Sequence, residues 1–144
     1  MLPEQRAYLH AWIDTVARSG YRAGVYCSGI PSKEAGGATV VTATDIAQNA
    51  GGRDITYWVS NDACPPSRGC VFTPPAPVDS GVPFAAVWQY AQSPRRKGIS
   101  DSCASSYNSD GNCYPPALAR GGLHVDLNAA LTSDPSHART RKRK

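Results

Sequence analysis

"DITYWVSND" occupies residues 54–62, and its two-residue alternation reads as a strand at about 54–60: Ile55, Tyr57 and Val59 fall on one side, Thr56, Trp58 and Ser60 on the other. Successive side chains of extended backbone point to opposite faces, so one strand can serve two environments at once. The elements around it set the fold class.

Upstream, "YRAGVYC" (residues 21–27) alternates Tyr21, Ala23, Val25 and Cys27 against Arg22, Gly24 and Tyr26, a second strand signature. The segment "SGIPSKEAGG" between them reads as loop. It is followed by a short helix at about 44–50, with Thr44 as cap and Gly51 and Gly52 closing it. Residues 3–18 carry Leu9, Trp12, Ile13 and Val16 at helical spacing, with Pro3 and Glu4 suited to the first turn and Arg18 and Gly20 to the last.

Downstream, a Pro-rich stretch without helical period leads to "FAAVWQYA" (84–91), which reads as a strand. A long Gly- and Ser-rich loop then reaches "GLHVDLNAAL" (122–131). There Leu123, Val125 and Leu127 alternate with His124, Asp126 and Asn128, predicting a strand at 122–128. The order α, β, α, β, β, β defines an α/β chain, with its body at 1–131 and a disordered tail at 132–144.

The net charge of +4 is concentrated in that tail, because Arg139, Arg141, Lys142, Arg143 and Lys144 are five of the fifteen basic residues. Without them the rest of the chain has ten basic and eleven acidic side chains. A basic terminus of this kind suits solvent, an anionic wall polymer, a membrane surface or nucleic acid. Nucleic acid is disfavoured, since no aromatic-rich basic groove accompanies it. The chain's 41% hydrophobic content argues against disorder across the body, and no apolar run is long enough to span a membrane as a helix.

Five cysteines stand at 27, 64, 70, 103 and 113. Cys64 and Cys70 bracket one turn-rich stretch, and Cys103 and Cys113 another, which suggests two local disulfides with Cys27 left as a small buried apolar residue. The spacings are not those of zinc pairs, and only three scattered histidines are present, so neither metal nor cofactor is expected. Disulfides imply an oxidising compartment, although the N-terminal stretch lacks a signal-peptide pattern. The nucleophile elbow, the H-E-x-x-H helix and the phosphate-binding Gly-rich loop are absent.

Four blocks, "GYRAGVYCSG" (20–29), "YWVSND" (57–62), "VWQYAQ" (87–92) and "HVDLNAAL" (124–131), resemble in order the second half of family 25 lysozyme-like glycoside hydrolases. The likeness is greater to the DUF1906 group of glycoside-hydrolase-like domains. It implies half of a distorted TIM-type barrel, in a truncated reading frame, with long loops held by the cysteine pairs. It further implies an extracellular or wall-associated protein whose parent binds, and in its active form cleaves, a bacterial cell-wall glycan of the peptidoglycan type. The family's Asp-x-Glu catalytic pair is missing, which leaves a non-catalytic carbohydrate-binding or wall-associated module as the alternative.

On this reading Asp126 is a supporting residue at a strand end. Tyr26, Trp58, Asp62, Trp88, Gln89 and Tyr90 are candidates for substrate contact. Indole planes suit sugar faces, and phenol or amide groups suit hydroxyls. Each has a plainer role: Trp58 and Trp88 as core aromatics, Asp62 as a turn cap, Tyr26, Gln89 and Tyr90 in structural hydrogen bonds. Half a barrel also leaves unpaired sheet edges, so self-association through them is expected.

Overall fold

The protein is described here by a computed structural model covering residues 1–61, 74–91 and 126–135. Over these residues it is a mixed α/β fold in which two helices cover one face of a mostly parallel, open sheet.

Helix α1 (Pro3–Arg18) has the predicted boundaries. Gln5 Oε1 accepts the Leu2 N–H at 3.0 Å, satisfying a donor at the helix entry. At its exit Gly20 takes a left-handed conformation (φ 83°), and the N–H groups of Gly20 and Tyr21 donate to the carbonyls of Ala17 and Val16. Ile13 is buried and Leu9 and Val16 pack beside it, whereas Trp12 sits at the rim.

Strand β1 (Ala23–Ser28) follows. A small hairpin, β2 (Ser32–Lys33) with β3 (Thr39–Val40), comes next in the stretch predicted to be loop. Helix α2 (Thr42–Gln48) starts two residues before the expected position: Val41, not Thr44, holds the cap site and supplies no side-chain acceptor. Strand β4 (Ile55–Ser60) lies within a residue of expectation, and a 3₁₀ turn spans Pro77–Ser80.

Strand β5 (Val87–Ala91) is shorter than predicted, because Ala85 N–H closes a turn onto Val82 O at 3.0 Å. Strand β6 (Leu127–Ala130) corrects the expected 122–128 at its C-terminal end; residues 122–125 lie outside the described residues. So do Cys64, Cys70, Cys103 and Cys113 with their expected disulfides, Asp62, and the basic side chains of the tail.

Among the described residues the sheet order is β1-β4-β5-β6, with β1, β4 and β5 parallel and β6 antiparallel to β5. The β1-α2-β4 crossover supplies the length that a parallel pairing needs. Among the described residues the sheet is open, with β1 and β6 at its edges.

The core lies between α1, α2 and one face of the sheet. Ala23, Val25 and Cys27 of β1 join Ile55, Tyr57 and Val59 of β4, packed against Ile13, Ala43, Ile46 and Ala50. Complete burial of side chains such as Ile13 and Val59 contributes about 1.5–3 kcal/mol each. Gly29, after β1, is required by contact: a Cβ there would stand 2.6 Å from Val59 Cγ1. Val82, Ala85 and Phe84 extend this core, with Phe84 edge-on to Tyr57 at 4.8 Å.

Candidate functional site

The register fixes which side chains share the face away from the helices. Tyr26 pairs with Trp58 and Trp58 with Val87; Ser28 pairs with Ser60, Ser60 with Gln89 and Gln89 with Asn128. Two side-chain struts cross this face, each bridging over one intervening strand. Tyr26 on β1 donates its hydroxyl proton over β4 to Gln89 Oε1 on β5. Trp58 on β4 donates its indole N–H over β5 to Asn128 Oδ1 on β6 at 2.9 Å.

Gln89 is the hinge of the network. Its Nε2 donates to Asp126 Oδ2 at 2.6 Å while its carbonyl oxygen accepts from Tyr26, so both ends of one amide are engaged. It is 6% exposed, and the burial is tolerated because its polar atoms are satisfied. Asp126 stands just before β6, beside the C-terminal end of β5.

The rings above this network remain open to solvent. Tyr26 is 57% exposed and Trp58 41%, and they meet edge-to-face with centroids 5.4 Å apart. Beside them runs a groove of about 280 Å³ whose lining includes Arg22, Thr56, Val87 and Pro135. Thr56 Oγ1 is buried there without a hydrogen-bond partner. At the far end Arg22 is held by Asp54 in an ion pair.

Four of the residues singled out from the sequence, Tyr26, Trp58, Gln89 and Asp126, therefore meet in one network or ring contact. Trp88 and Tyr90 do not join them. The Val59–Trp88 register puts Trp88 on the helix-bearing side, where it is buried and its indole N–H donates to Asn61 O at 2.7 Å. Tyr90 is buried beside it at 6.1 Å, and burial pushes its phenol above the ordinary range. Both side chains pack with Ala129 in one buried cluster.

Asn128 and Thr56 belong to the site but were not candidates on sequence. Asn128 shares the parity of Asp126 in "HVDLN", and Thr56 that of Trp58 in "DITYWVSND", so parity alone would have found both.

Among the described residues the two carboxylates with this strand parity are Asp54 and Asp126, at opposite ends of the sheet. About eight residues at a rise of about 3.3 Å separate their levels, roughly 26 Å. Paired carboxyl groups in glycoside hydrolysis stand about 5–10 Å apart. Asp54 and Asp126 are thus not such a pair, and the face presents rings and hydrogen-bonding groups.

No family profile, curated protein or solved structure matches the chain. Among the described residues no cluster of three His, Cys, Asp or Glu side chains could hold a metal, and no helix is long and apolar enough to cross a membrane.

Proposed function

We propose that the open face of this sheet binds a bacterial cell-wall glycan of the peptidoglycan type, outside the cell or at its wall, without cleaving it through the described residues. The observation that carries this reading is the exposed Tyr26–Trp58 ring pair, locked by Gln89, Asp126 and Asn128. Sugars offer apolar C–H faces ringed by hydroxyls, and exposed aromatic planes beside fixed polar atoms complement them. Fixing the rings beforehand lowers the entropy lost on binding.

The four-block resemblance to glycoside-hydrolase-like domains supports the choice of ligand, and a mostly parallel sheet with helices on one face is compatible with that reading. A hydrolytic role would need a second carboxyl group near Asp126, and Asp54 is too distant to serve. Retention on insoluble peptidoglycan, measured with the whole chain and with residues 139–144 removed, tests the proposal. Both forms are expected to be retained, with retention weakened by Trp58→Ala. Loss of binding with the tail alone would assign it to charge, and retention of neither form would refute the proposal.

A further inference from the structure

The hydrogen bonds across the face fix not only positions but the direction of each proton. A carboxylate only accepts, so Asp126 takes an N–H from Gln89 and sets the amide with its nitrogen toward β6. The amide carbonyl then faces β1, and a carbonyl also only accepts, so the Tyr26 hydroxyl must donate to it. Its one proton is spent inward. What Tyr26 offers outward is oxygen lone pairs, on a residue 57% exposed.

Trp58 follows the same logic. Its one N–H is engaged by Asn128 Oδ1, so the indole presents ring surface and no donor. Arg22, the cation lining the groove, is paired with Asp54.

We propose that, within the sugar-binding reading above on which this rests, the Tyr26 position selects a neutral sugar that donates a hydroxyl proton to Tyr26 Oη, and discriminates against acidic sugars. A carboxylate or sulfate on the ligand has no proton to give at neutral pH and would bring negative charge toward the acceptor lone pairs of Tyr26 Oη. A hydroxyl donates to the same oxygen at no such cost. Specificity is set two hydrogen bonds away: Asp126 orients Gln89, and Gln89 orients the Tyr26 proton.

The test is titration of the whole chain, followed by tryptophan fluorescence and calorimetry, with neutral tetra-N-acetylchitotetraose and acidic tetragalacturonate. The neutral oligomer is expected to bind at least about fivefold more tightly. Tyr26→Phe keeps the ring but removes the acceptor, and should weaken the neutral oligomer by about five- to tenfold, the worth of one hydrogen bond. Equal or tighter binding of the acidic oligomer, or an unchanged affinity in Tyr26→Phe, would overturn the inference while leaving the sugar-binding face intact. Absence of binding to either oligomer together with no retention on peptidoglycan would remove the face reading, and this inference with it.

Discussion

Gln89 Nε2 lies 2.6 Å from Asp126 Oδ2, a contact that joins the last parallel strand to the antiparallel edge strand. The same Gln89 receives the Tyr26 hydroxyl from two strands away, so one buried amide ties β1, β5 and the approach to β6. Gln89→Leu removes both bonds at similar volume. It should destabilise the fold by about 1–3 kcal/mol in urea unfolding, more than Tyr26→Phe, which removes one. Equal stability of Gln89→Leu and wild type would show that the amide is not a structural tie.

Gly29 has no room for a side chain. A Cβ there would lie 2.6 Å from Val59 Cγ1 and 3.4 Å from Val82 Cγ2, both on fully buried residues. Gly29→Ala should cost about 1–3 kcal/mol through overpacking. Val59→Ala in the same chain frees the space, so the double variant should lose less than the two single losses added. Strict additivity in denaturant melts would contradict the contact.

Alkaline pH should destabilise the protein through its core. Burial pushes the Cys27 thiol up to about 11 and, with the nearby thiol, the Tyr57 phenol up to about 12. The unfolded chain loses these protons at ordinary values, from about pH 9 upward, while the folded chain keeps them. The stabilisation is therefore complete below about pH 9 and falls as pH rises toward the folded values, by on the order of 2–3 kcal/mol for Cys27. Urea midpoints at about pH 8 and about pH 10.5 should differ less in Cys27→Ala than in wild type. Identical slopes would mean that the thiol is not shielded.

The acid limb has a different origin. Arg53 forks onto Asp14, Nε to Oδ1 at 2.8 Å and one terminal nitrogen to Oδ2 at 2.9 Å, and these bonds hold the Asp14 carboxyl below its ordinary range. The contribution is present above the ordinary carboxylate range and is lost as pH falls through the depressed folded value. Solvent reaches both side chains, so the effect is small. Asp14→Asn should be less stable than wild type near neutrality, with the gap closing in acid; a constant gap would contradict an ionic cause.

Helix α1 was legible because its apolar stripe, first-turn proline and terminal glycine agree. Strand β4 was legible because its alternation separates Ile55, Tyr57 and Val59 from the polar set. Helix α2 was misplaced by two residues since its cap, Val41, leaves no chemical sign. The hairpin of β2 and β3 has two rungs and, apart from half-buried Val40, exposed side chains, so it buries too little to leave a pattern.

The site divided in the same way. In "VWQYA" both alternating sets contain residues that can be buried, so parity could not say whether Trp88 or Gln89 faced the helices. Only the pairing of Val59 with Trp88 decides it. In "HVDLN" the sets differ in polarity, which is why Asp126 could be placed on the polar side from sequence.

The most direct test of the sugar-binding face uses the three indole N–H resonances of a ¹⁵N-labelled sample during titration with tetra-N-acetylchitotetraose. Trp58 lies on the proposed binding face, Trp88 is buried on the other, and Trp12 sits on α1. The Trp58 signal is expected to shift or broaden with saturation while Trp88 and Trp12 stay in place. A titration that moves Trp88 or Trp12 and leaves Trp58 unchanged would contradict the account.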